Sequence, residues 1–169
     1  MARLSTKAWL WIAAGLGVLW YMTKGGGLQS LIEGFEGLSL VPYQDTAGNW
    51  TIGYGHLIKP TDPYYPYGPV KEITQAQADA LLQADMQPAL DAVEEYVTVP
   101  LTQNQKDALT DFVYNVGVGN FQSSTLLSLL NQGDYTGAAA EFSKWIFAGG
   151  VVAPGLEARR AAEAVLFLA

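Results

Sequence analysis

Fifteen consecutive residues, Ala8 to Met22 (AWLWIAAGLGVLWYM), carry no charge and no strongly polar side chain, and they are flanked by Lys7 and Lys24. A helix packed on a protein surface shows a polar stripe, and this run has none on any face. As a helix it spans about 22 Å at about 1.5 Å per residue, against about 30 Å of bilayer hydrocarbon. Thr23 and the snorkelling of both lysines bring it to the margin of spanning. Trp9 and Trp11 stand near one end and Trp20 and Tyr21 near the other, where interface aromatics anchor a membrane helix. A cleaved signal peptide fits the basic start, but no small-x-small site follows Met22. An ordinary core helix is the plainer alternative. An uncleaved signal-anchor accounts for the most features, and Gly25-Gly26-Gly27 supplies a joint after it. The chain therefore divides into residues 1–27, the anchor, and residues 28–169, the domain.

Charge follows the same division. The first 24 residues contain Arg3, Lys7 and Lys24 and no acid, whereas the rest holds six Lys/Arg against all 16 Asp/Glu, a formal −10. The basic flank predicts a cytoplasmic N-terminus, an anchor in the inner membrane through residues 8–23, and export of the remainder. Ala8, Ala13, Ala14, Gly15 and Gly17 make that hold weak enough for release to the periplasm, where a monomer is expected. An acidic body excludes nucleic acid, whose phosphates need clustered cations. It also means that an acidic polymer must be held by local contacts. With no cysteine in the chain, disulfides, thiolate nucleophiles and Cys-based metal sites are ruled out. One histidine, His56, precludes a multi-His zinc site, and no carboxylate run resembles a calcium loop, so no metal is expected.

Within the domain, Leu28, Leu31, Ile32 and Phe35 recur at helical spacing, predicting a short helix that stops at Gly37. Residues 40–55 mix aromatic and β-branched side chains around Thr46-Ala47-Gly48-Asn49, predicting a hairpin or small sheet. Residues 59–72, with four prolines and three tyrosines, read as a surface loop. Thr74 with Gln77 and Thr102 with Gln105 are capping-box patterns. They open one helix running to about Tyr96, kinked by Pro88, and another ending near Gly117. Shorter helices are expected over 125–131, 135–147 and 155–168. The class is α+β: a small N-terminal lobe with a sheet, a long connecting helix, a helical C-terminal lobe, and the N-terminal apolar helix.

Three polar residues carry the candidate chemistry. Glu36 ends a helix, where carbonyl groups and apolar neighbours disfavour a negative charge and favour the protonated form that a general acid needs. Asp45 and Thr51 flank a turn, so an ionised carboxylate and a hydroxyl could together hold and activate a water. Two carboxyls in such different surroundings are the apparatus of glycoside hydrolysis. Any Glu and Asp nine apart are nonetheless more often solvated surface residues, and Glu33, one turn before Glu36, reads that way.

The string around them, FEGLSLVPYQDTAGNWTIGYGH at residues 35–56, resembles the catalytic segment of the phage-type lysozymes, glycoside hydrolase family 24. That family's pattern is Glu, eight residues, Asp, five residues, Thr, and Glu36, Asp45 and Thr51 fit it without a gap. Residues 108–131 and 155–168 resemble its C-lobe segment and closing helix, so the resemblance covers about 28–169. It implies a two-lobed lysozyme-like fold and a cofactor-free muramidase. The enzyme would cut the β-1,4 bond between N-acetylmuramic acid and N-acetylglucosamine in peptidoglycan to lyse the host. Glu36 would protonate the leaving oxygen, and Asp45, aided by Thr51, would direct water to the opposite face, an inverting course. By the same matching Leu57, Tyr114, Asn115 and Ser124 are candidate sugar contacts, each with packing or capping as the alternative, and His56 is a scaffold residue. The apolar N-terminus resembles the signal-arrest-release endolysins, although thiol–disulfide activation cannot operate without cysteine. The competing readings are a lytic transglycosylase, needing one acid, and a non-catalytic membrane-tethered wall-binding module.

Overall fold

A computed structural model describes residues 28–45, 48–64 and 72–169, leaving the side chain of Ser30 aside. The expected anchor (1–27) and most of the second half of the Pro/Tyr-rich loop lie outside the described residues. Among those described, no helix is long and apolar enough to cross a membrane. The chain forms two compact units. One holds Ile32–Gln87; the other holds Pro88–Ala169 with the described residues up to Leu31.

The smaller unit is mixed helix and sheet. Helix α1 (Leu28–Glu36), which enters this unit at Ile32, has Leu31 and Ile32 buried and ends where the periodicity places its end. Gly37 has φ +70, the left-handed conformation that closes a helix and that side chains disfavour. Strands β1 (Ser39–Gln44), β2 (Trp50–Gly53) and β3 (His56–Leu57) form an antiparallel sheet in that order. The register pairs Tyr43 with Thr51, Gln44 with Trp50, and Thr51 with Leu57. It slips between Ser39 and Tyr43, the stretch that contains Pro42, whose missing N–H cannot join the ladder. The central strand is the buried one: Thr51, Ile52 and Gly53 are all covered.

Helix α2 (Gln75–Tyr96) contributes its first half to this unit and its second half to the other, and the helix continues through Pro88. Thr74 caps it: its amide donates to Gln77 Oε1 at 2.8 Å, and the Gln77 amide donates to Thr74 Oγ1 at 3.2 Å. The larger unit continues with α3 (Gln103–Val116), α4 (Val118–Gln122), α5 (Thr125–Asn131) and α6 (Tyr135–Glu141). A 3-10 turn (Phe142–Lys144), a hairpin of β4 (Phe147–Ala148) and β5 (Val151–Val152), and α7 (Pro154–Leu168) complete it. The predicted capping box at Thr102–Gln105 is present with both bonds, and α3 stops before Gly117. The helix expected over 135–147 is shorter than the sequence suggests. It tightens at Phe142 and gives way to the β4–β5 hairpin, whose Gly149-Gly150 turn reverses the chain.

The core of this unit gathers Phe112, Phe142 and Phe167 with Leu109, Leu126, Leu130 and Leu166. Phe112 meets Phe142 and Trp145 edge-on, with ring centroids 5.2 and 5.4 Å apart. Beside them lies a buried ion network. Arg159 makes a fork to Asp111, with Nη2 to Oδ1 at 2.6 Å and Nε to Oδ2 at 3.2 Å. Arg160 Nη2 donates to Glu163 Oε1 at 2.7 Å, and its guanidinium lies 4.9 Å from the Phe112 ring centre. Burial pushes the Glu163 carboxyl well above the usual range, helped by the nearby Asp111 charge, and lowers the Arg160 guanidinium.

Candidate active site

Glu36 is the last residue of α1 and is part-buried. The turn between β2 and β3 approaches it closely. A Cβ added to Gly55 would stand 3.5 Å from Glu36 Oε2, in ordinary contact, and Gly55 has φ +86, so a side chain there would be strained by its backbone. Next to that glycine, burial holds the Tyr54 hydroxyl above its usual value, and the charges of Glu33 and Asp79 act the same way. The Gln75 amide donates to the Tyr54 oxygen and opposes them. Glu33 is half-buried.

Asp45 follows β1 directly, and Thr51 is the second residue of β2. They are joined through Asn49. The Asn49 amide donates to Asp45 Oδ1 at 2.8 Å, and Asn49 Nδ2 donates to Asp45 Oδ2 at 3.1 Å. The Asn49 carbonyl accepts from the Asp45 amide at 2.9 Å and from Thr51 Oγ1 at 3.1 Å. Sequence reasoning placed Asp45 and Thr51 on either side of a turn but missed Asn49, whose place after Gly48 marks only a turn. Thr51 is 5 % exposed, so its hydroxyl is fixed by the strand rather than by solvent. Leu57 stands opposite it on β3 and is 55 % exposed. Glu36, Asp45, Thr51 and Leu57 all belong to the smaller unit.

Tyr114, Asn115 and Ser124 belong to the larger unit. Ser124 is buried and caps α5: its hydroxyl accepts from the Leu127 amide at 3.0 Å and donates to the Phe121 carbonyl at 2.7 Å. Asn115 Oδ1 accepts from Arg160 Nη2 at 3.0 Å, which links it to the buried ion network. Tyr114 is half-buried on α3. Ser124 and Asn115 therefore each have a structural task whatever else they do. His56 Nδ1 lies 2.8 Å from Asp85 Oδ2, on α2, so the lone histidine braces the sheet against the helix. Its partner, 29 residues away, left no local signal. Among the described residues, no group of three or more His, Asp or Glu could hold a metal.

A small antiparallel sheet following a helix that ends in glutamate, a long helix, and a helical C-terminal unit compose the architecture of the lysozyme class of glycoside hydrolases. Residues 33–163 match the phage lysozyme family, and the chain belongs to it. It is 45% identical over 141 residues to the endolysin of Acyrthosiphon pisum secondary endosymbiont phage 1, covering 81% of this chain and 92% of that one. The SAR-endolysin of Escherichia phage Mu is 39% identical over 153 residues, covering 90% and 82%. The endolysin of Escherichia coli O157:H7 phage FAHEc1 superposes with a TM-score of 0.75 at 36% identity, over 83% of this chain and 90% of that one. The chain is a lysozyme-type glycoside hydrolase, a phage muramidase for host lysis whose substrate is peptidoglycan.

Proposed function

We propose that Glu36 is the general acid and Asp45, with Thr51, the water-directing base of this muramidase. The Glu36 carboxyl gives its proton to the glycosidic oxygen as the bond to the muramic acid C1 breaks. Water attacks C1 from the opposite face and yields a proton to Asp45, while the Thr51 hydroxyl helps hold that water. One bond is cut, one water is consumed, and the anomeric configuration inverts. The observation that carries this reading is the bonded arrangement of Asp45, Asn49 and Thr51 at the end of one hairpin, in the unit that also holds Glu36. Leu57, 55 % exposed beside Thr51, is the sugar contact that packing leaves most available, and Tyr114 remains a candidate on the family pattern alone.

The test is the product. Proton NMR of freshly cut glycan is expected to show the inverted α-anomer first, and mass analysis a hydrated reducing end. An anhydro product would mean a lytic transglycosylase, and a retained β-anomer would remove Asp45 from the role of base.

Residues 1–27 are proposed to be an uncleaved, weak signal-anchor, N-terminus inside, that exports the domain of residues 28–169 and later leaves the inner membrane for the periplasm. The support is the sequence of the run, with glycine and alanine at five of its positions, and the likeness to relatives named SAR-endolysins. Only 13 residues separate Met22 from Glu36, so a membrane-held run tethers the catalytic helix close to the bilayer and keeps the enzyme from working. A freed run then buries its apolar faces against the domain.

A further inference from the structure

We propose that Asn49 is a positioning residue for the water-directing carboxylate, setting both its plane and its charge. The inference rests on the assignment of Asp45 as base. A turn closed by a carboxylate requires one bond from a backbone amide, and the Asn49 amide to Asp45 Oδ1 at 2.8 Å supplies it. The side chain adds what the turn does not need, a second donor, Nδ2, on the other oxygen at 3.1 Å. With one donor on each oxygen, the carboxylate cannot rotate about its Cβ–Cγ bond without breaking a bond. Hydrogen bonds donated to the charged form also favour that form, which keeps the base unprotonated as pH falls. The Asn49 carbonyl, accepting from Thr51 Oγ1, orients the hydroxyl from the same residue. One asparagine thus sets two of the three proposed catalytic groups.

The other titratable side chains of the elements around Asp45 are Tyr43 on β1, His56 on β3, which is held by Asp85, and Glu33 and Glu36 on α1. The His56–Asp85 contact does not involve position 49. Asn49 is exposed, so substitutions there leave the core intact.

The experiment measures kcat, KM and the pH–rate profile of the full-length protein on defined soluble glycan fragments, for wild type, Asn49→Ala, Asn49→Asp and Asp45→Asn. Asn49→Ala removes the donor; Asn49→Asp is the same size but turns it into a repelling oxygen. The expected result is a graded loss of kcat, about tenfold for Asn49→Ala and larger for Asn49→Asp. KM is expected to stay within about twofold and the acidic limb to move to higher pH in the same order. Equal losses in both variants with an unmoved acidic limb would assign Asn49 to turn structure alone and overturn the proposal. So would wild-type profiles in both while Asp45→Asn is inactive. Full activity in Asp45→Asn would overturn the assignment of the base itself, and the proposal with it.

Discussion

His56 is the residue most open to a catalytic reading, since it is the only imidazole in the chain and lies in the matched segment. Its contact with Asp85 points instead to bracing. Both side chains keep some solvent exposure, so the pair is worth only about 1 kcal/mol after screening. His56→Gln is expected to lower stability by about that amount in urea unfolding while leaving turnover within a few-fold. A loss of activity by orders of magnitude in the folded variant would make it a proton carrier. Glu163 poses the opposite problem, a carboxyl sealed in the core and held well above the ordinary 4.5 by burial. A raised folded pKa contributes stability that is whole below 4.5 and is lost as pH rises through the folded value. Glu163→Gln removes that dependence. The stability of the variant relative to wild type is therefore expected to climb as pH rises from 4.5 towards neutrality, read from denaturation midpoints. A difference that stays flat or falls would contradict it. Neither His56–Asp85 nor Arg160–Glu163–Asn115 could be read from the sequence in full, because partners 29 and 45 residues apart meet only through tertiary packing.

At the level of elements, the features legible in the sequence were those with local physical causes. Both capping boxes occur because a threonine and a glutamine three residues on satisfy each other's backbone donors without help from the rest of the fold. Thr102→Ala is expected to cost about 1 kcal/mol, measured by thermal or urea unfolding, with no change in cleavage chemistry. The helix ending at Glu36 and the hairpin after it were equally legible, through the periodicity of Leu31 and Ile32 and the turn residues between Asp45 and Asn49. Less legible was the 135–147 region. Its alanines and Phe142 favour a helix, but Trp145 packs edge-on against Phe112, and the following residues pair as β4–β5. That is a tertiary preference overriding a local one. Ser124 shows the limit among the candidate residues: a motif position marks it equally well for sugar binding and for the cap it forms.

For the whole molecule, the sequence divides a basic, apolar beginning from an acidic domain, and the proposed control of lysis depends on that division. A weak anchor holds because its apolar area prefers lipid, and lets go because glycine and alanine offer little of that area. Replacing Gly15 and Gly17 together with leucine is expected to shift the protein towards the membrane fraction and delay host lysis. A variant that stays membrane-bound yet lyses cells as fast as wild type would refute the control scheme. The chemistry proposed for the domain rests on Glu36. Its neutral isostere keeps the helix end and the size of the side chain, but cannot donate a proton to a leaving sugar oxygen. The most direct measurement is therefore cleavage of purified peptidoglycan by Glu36→Gln alongside wild type, with circular dichroism and unfolding curves showing the two equally folded. A fall in glycan cleavage of several orders of magnitude is the predicted result; near-normal turnover by the folded variant would contradict the assignment.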